Sequence, residues 1–267
     1  MIETTDCLLA VMTMFSIAVV ISTLEFFAVR RQFSMPGALD RTVMVPEGFP
    51  RVRRWIGIID GPRCVLFLLV LRAVVAIATI PAIAVDGPAW VPLWVLVGLT
   101  AWRNLRFLNT HCTSWSLEML TYPPIAVLSL FPQNETLALI CLGSIAIQTG
   151  LAYFGAGFSK LMSGPWRRGD ALAWYLTEGQ FSMKLGHLIS RRPALWKLLT
   201  WGVILFEVGF FTCLFLGPAW CAVMMLVGLC FHLSNLVLFG LHPFLWTFVG
   251  TYPAIWWVMT RVTEWLR

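Results

Sequence analysis

Apolar runs of about twenty residues follow one another along most of this chain, and a run of that length is what an α-helix needs to cross a bilayer. The candidates are Cys7–Val29, Cys64–Val85, Ala89–Leu108, Cys112–Phe131, Glu135–Phe158, Leu195–Leu216, Ala219–Phe239 and Pro243–Val262. The expected fold is therefore all-α, a polytopic transmembrane helical bundle of about eight spans. Two candidates are weaker. The third carries Arg103 and Arg106 in its last turns, and the fourth is interrupted by Pro123 and Pro124, so either is expected to be short, kinked or partly re-entrant. Seven spans remain compatible with the pattern.

Composition agrees: 59% of residues are apolar and only 12% charged, far from the balance of a water-soluble domain. The runs are joined by short connections, so residues 1–267 are expected to form a single transmembrane domain with no separate soluble one. Glu3 and Asp6 stand where a secretory signal would be basic, and no small-residue cleavage pattern follows. The first run is read as an anchor in a multi-pass protein of the cell or inner membrane. A net charge of +6 is expected to orient loops rather than to bind nucleic acid. The seven cysteines lack C-x-x-C spacing and lie in or beside apolar runs, so they are read as small core residues.

Two connections are longer than a simple helix reversal requires, Arg30–Arg63 and Lys160–Pro193, and both are rich in Arg, Gly and Pro. The positive-inside rule places both on the cytoplasmic side. Within the second, Asp170–Leu176 reads as a short interfacial amphipathic helix after the fifth span, with Asp170 as N-cap and Trp174 and Tyr175 facing the headgroups.

Ionisable groups inside the runs are few, and each is costly unless paired or wet. Arg72, Glu25 and Glu207 are expected in ion pairs or buried hydrogen bonds between helices, whereas Arg103 and Arg106 are expected to snorkel to lipid headgroups. His232 and Asn235 lie three apart on one helix face and can jointly hold a polar ligand, though an interhelical hydrogen bond accounts for the histidine as well. His111, two residues after Asn109, suits a helix cap. No H-x-x-x-H, Walker-type loop, G-x-S-x-G or G-x-G-x-x-G occurs, so no metal and no nucleotide is expected. Lys160 closes the fifth run, after Gly155 and Gly157. It reads either as an interfacial anchor or, poorly hydrated between helices, as a base.

Three strings in order, Leu108-Asn109-Thr110-His111, then Tyr153-Phe154-x-Ala156-Gly157-x-x-Lys160-Leu161, then His232-x-x-Asn235-x-x-Leu238-Phe239-Gly240, resemble the membrane domain of vitamin K-dependent gamma-carboxylase. The wider group is the horizontally transferred transmembrane, or HTTM, domain family. The resemblance implies an enzyme that deprotonates a reduced vitamin K-like or menaquinone-like quinol and couples this to oxygenation. It implies Lys160 as the initiating base, His111 as an assisting catalytic residue, and His232, Asn235, Tyr153 and Asn109 around the quinol. It also places the Lys160 side on the lumenal or outer face, against the charge rule.

The expected partners are membrane lipids, a lipid-soluble quinone and a peptide or small-molecule second substrate. The carboxylases carry a large C-terminal region that recognises propeptides, and this chain of 267 residues lacks it. Quinol epoxidation is accordingly expected more readily than carboxylation of a protein. Two other readings fit the residues: a transport or small-molecule-binding bundle with Arg72, Arg103, Glu118, Glu207 and His232 lining a path, and an accessory or immunity-type membrane protein.

Overall fold

The computed structural model describes residues 3–33, 37–45, 47–108, 113–177 and 193–265, and no strand occurs among them. The chain divides into two compact units, Ile2–Leu142 and Gly143–Arg267.

The first unit holds α1 (Thr4–Ala28), a 3-10 turn (Arg30–Phe33), α2 (Arg41–Met44), α3 (Pro50–Gly57), α4 (Pro62–Ala84), α5 (Trp90–Arg106), α6 (Thr113–Leu128) and the start of α7 (Glu135–Met162). The second holds the rest of α7, then α8 (Gly164–Arg168), α9 (Asp170–Thr177) and α10 (Pro193–Gly209). A 3-10 turn (Phe210–Leu214), α11 (Pro218–Phe239), α12 (His242–Gly250) and α13 (Tyr252–Trp265) complete it.

Five helical stretches are long and apolar enough to cross a membrane: Thr4–Ala28, Pro62–Ala84, Glu135–Met162, Ala194–Leu214 and Pro218–Phe239. Their outward side chains are large and apolar, with Leu24, Phe67, Ile140, Leu198 and Leu226 all exposed, as lipid-facing surfaces are. The chain is a multi-pass membrane protein. The other three predicted spans are helical: α5 has 17 residues and α6 has 16, short as expected of the two weaker candidates, whereas the last divides into α12 and α13 at Thr251.

Proline explains one of these outcomes and not the other. Pro253 has no N–H to give Val249, so a helix running through Thr251 would lose a rung and crowd that carbonyl; the chain breaks instead. Pro123 and Pro124 stand inside α6 without ending it: the helix is short, as expected, but is not cut at the prolines. Neighbouring helices and hydroxyls compensate freed backbone carbonyls in such bundles.

In the first unit α1 lies along α4, tied by Ser16 Oγ donating to the Ala76 carbonyl at 2.8 Å and Thr23 Oγ1 to that of Leu69 at 3.3 Å. Arg103 and Arg106 do not snorkel. They are 1% and 0% exposed because carboxylates within the unit claim them. Glu118 takes Arg103 Nη2 at 2.7 Å and Arg72 Nη2 at 2.9 Å, while Asp60 pairs with Arg106. The expected pairing of Arg72 is thus realised.

Of the described cysteines, Cys7, Cys141, Cys213 and Cys221 are buried, whereas Cys230 is exposed.

Candidate functional site

The second unit is organised by a seam on α7. Gly150, Tyr153, Gly157 and Lys160 recur at intervals of three and four, so they fall on one helix face. That face meets α10 and its 3-10 extension, with Gly150 against Phe211 and Gly157 against Glu207 and Val208, so the two helices run antiparallel. A β-carbon at Gly157 would stand 2.7 Å from both Glu207 Cβ and the Val208 nitrogen, and one at Gly150 would enter the Phe211 ring. Small residues thus allow the backbone approach that apolar side chains alone do not drive in lipid.

Close approach at Gly157 delivers Glu207 to Lys160. Lys160 Nζ donates to Glu207 Oε1 at 2.9 Å and to Oε2 at 2.7 Å, with the lysine side chain 19% and the glutamate 4% exposed. The ammonium also lies 5.3 Å from the centre of the Trp166 ring. Lys160 is therefore neither a free anchor reaching for headgroups nor an isolated amine. It is half of a pair. For its nitrogen to accept a proton, the ammonium must first pass one on, and Glu207 is the group in contact to receive it.

Two helical turns earlier on the same face, roughly 10 Å along the axis, a second polar group is enclosed. Tyr153 Oη lies 2.6 Å from His232 Nε2 and 3.0 Å from Tyr252 Oη, linking α7, α11 and α13. Gly228, one turn before His232, admits the Tyr252 hydroxyl, which the β-carbon of any other residue would displace. Aromatic rings close the surroundings: Phe206, Phe210 and Phe248 pack on Tyr153, and Phe248 stacks on the imidazole at 4.8 Å. His232 is 1% exposed and its Nδ1 has no hydrogen-bond partner. Whichever of the phenols donates, one ring nitrogen of a buried histidine stays open to a further polar group.

The predicted residues thus separate into two places. Tyr153 and His232 are in direct contact, whereas Lys160 contacts Glu207 and Trp166 and makes no described contact with His232. Asn235 is partly buried; its backbone carbonyl accepts the Leu241 N–H at 3.2 Å where left-handed Gly240 ends α11. Its side chain takes no partner among the described residues. His111 and Asn109 lie outside the described residues.

Two participants were not singled out for the site from sequence, Glu207 and Tyr252. Glu207 was legible as a buried charge in need of a cation, but nothing local named a lysine 47 residues away. Tyr252 carried one signal, the proline after it, which accompanies the break between α12 and α13.

A helix forms where the interfacial one was expected, as α9 (Asp170–Thr177). Asp170 is its first helical residue, and its carboxylate accepts from Arg168 Nε at 2.8 Å rather than capping the helix. Among the described residues no group of three His, Cys, Asp or Glu is placed to hold a metal ion.

The model of the HTTM domain matches residues 74–258, more than half of the chain, from within α4 to within α13. No curated protein matches the chain, and no solved structure does.

Proposed function

Since the chain belongs to the HTTM domain family, we propose that it is a membrane enzyme of the carboxylase-like kind, in which the Lys160–Glu207 pair removes a proton from a reduced, lipid-soluble quinone whose oxygenation follows. The observation that carries this reading is the pair itself, a lysine at the end of a span held by both oxygens of a carboxylate that is almost entirely withdrawn from solvent. Proton transfer within it is internal: as Lys160 Nζ yields a proton to Glu207, the freed amine can take the hydroxyl proton of the substrate.

Fit to a quinol rests on His232. Its unpartnered Nδ1, buried among Phe231, Phe248 and Tyr153, offers one hydrogen bond to a hydroxyl or carbonyl oxygen within an aromatic wall. When bound, the quinol would supply the reactivity toward oxygen; Lys160, Glu207 and His232 would supply orientation and the path for the proton. Oxidation of a quinol spares the chain any need to recognise a polypeptide, so protein carboxylation is not included.

The test is oxygen consumption by the purified protein with a reduced menaquinone-like quinol. Turnover is expected in the unaltered protein and is expected to vanish in Lys160→Ala. Turnover of the substituted protein at the unaltered rate would remove the base from the scheme.

A further inference from the structure

A second recognition element stands at the end of α7, on the two short helices between the spans. The α8–α9 turn is made by Gly169 at φ +88°, where a side chain would also press on Trp196 and Lys197, and it sets α9 facing Trp166. On α9, Asp170 and Trp174 are four apart, as are Ala171 and Tyr175, so each small or short residue lies one turn before a large ring on the same side. The result is an open groove of about 400 Å³ with Trp166, Trp174 and Tyr175 as walls, Ala171 between them and Asp170 at its edge. The rings are contiguous: Trp166 and Tyr175 have centroids 6.0 Å apart, and Trp174 meets Tyr175 edge-on at 5.1 Å.

We propose that this groove binds the headgroup of a zwitterionic phospholipid, its ammonium held by the three rings and Asp170 and its phosphate by Arg168. Aromatic rings grouped beside a carboxylate suit an ammonium, which is attracted to the ring quadrupoles and to the negative charge. The charges of the site come as a neighbouring pair, since Arg168 donates to Asp170 at 2.8 Å with both side chains more than half exposed. An acid and a base side by side on an open surface match the adjoining ammonium and phosphate of such a headgroup. Place agrees with chemistry: α8 starts two residues after a helix long enough to span ends, and Trp174 and Tyr175 are 51% and 41% exposed at the level where amphipathic rings meet lipid.

The occupant comes from the bilayer, so the experiment compares lipids that differ only in the head. Full-length protein in detergent is mixed with phosphatidylcholine, phosphatidylethanolamine and phosphatidylglycerol of identical chains, and retained lipid is counted by native mass spectrometry. The two ammonium lipids should be retained about tenfold over phosphatidylglycerol. That preference should fall away in Trp174→Ala and Asp170→Asn and survive in Trp174→Phe, with unchanged helical circular dichroism throughout. Equal retention of the three lipids overturns the proposal, and so does a preference that persists in both disruptive variants. The readout is retention rather than turnover, so it stands or falls apart from the quinol reading.

Discussion

Gly157 presses against Glu207 so closely that a β-carbon on the glycine would stand 2.7 Å from that of the glutamate. Three residues on, Lys160 reaches the carboxylate of the same Glu207. The spacing between two helices and the existence of the buried pair are therefore one fact.

Gly157→Ala should force α7 and α10 apart and cost about 1–3 kcal/mol of stability through overpacking. Gly155→Ala is the control: nothing lies within 4 Å of a β-carbon there, so helix propensity should make it neutral or mildly stabilising. Melting temperatures of the two proteins in the same detergent decide it, and equal losses would refute the close-approach account.

Breaking the Lys160–Glu207 pair should be asymmetric. Lys160→Met strands a carboxylate 4% exposed, whereas Glu207→Gln leaves an ammonium that is 19% exposed and better able to find water. The first change should cost about 3–5 kcal/mol and the second distinctly less. The double variant Lys160→Met with Glu207→Gln should regain much of the loss while remaining without turnover. Thermal unfolding and oxygen uptake on the same samples separate stability from chemistry.

In the first unit, Glu118 balances two guanidinium groups, Arg72 and Arg103. Glu118→Ala should leave both cations buried without a counter-charge and cost about 3–5 kcal/mol. Arg72→Met leaves Arg103 and Glu118 as a neutral pair, at a smaller loss, roughly 1–3 kcal/mol, for the hydrogen bonds from Arg72 to Thr100 and Glu118. The order of melting temperatures is the check; a reversed order would mean that the carboxylate is not the keystone of the cluster.

Tyr153 is the middle of its chain of hydroxyls and Tyr252 the end. Tyr153→Phe should cost about 1–3 kcal/mol by leaving two buried groups unsatisfied, and Tyr252→Phe about half as much. Calorimetric unfolding tests the ratio. If His232 Nδ1 serves the quinol, Tyr153→Phe should also raise KM more than it lowers kcat, since the imidazole loses the partner that fixes its ring.

Helix existence was legible in the sequence because length and apolarity are local properties: each of the eight runs contains helix. Span count was less so. The 16 residues of α6 and the 22 of α11 both fall within apolar runs of about twenty residues, and only Pro253 marks the break between α12 and α13. Misreading Arg103 and Arg106 as snorkelling followed from the same limit. Their place at a helix end was visible, while the carboxylates of Glu118 and Asp60 that draw them inward come from other elements. At the candidate site, Tyr153, His232 and Lys160 were found by chemical type and context. Their division into two groups came from the two helical turns that separate Tyr153 from Lys160 along one face of α7, and Glu207 and Tyr252 entered through contacts 47 and 99 residues apart in sequence.

The joint at Thr251 fixes more than where one helix stops and the next begins. Phe248 before it covers the imidazole, and Tyr252 after it reaches Tyr153, so both rings depend on the angular phase between α12 and α13. A single inserted residue would turn α13 by about 100° about its axis and carry the Tyr252 hydroxyl away from the notch at Gly228. The short segment Phe131–Asn134, by contrast, ends in an Asn134 side chain that caps α7 at 2.9 Å and threads no ring into a neighbour. Length is therefore a fixed quantity at one joint and a free one at the other, and homologous chains should differ by insertion at the second long before the first.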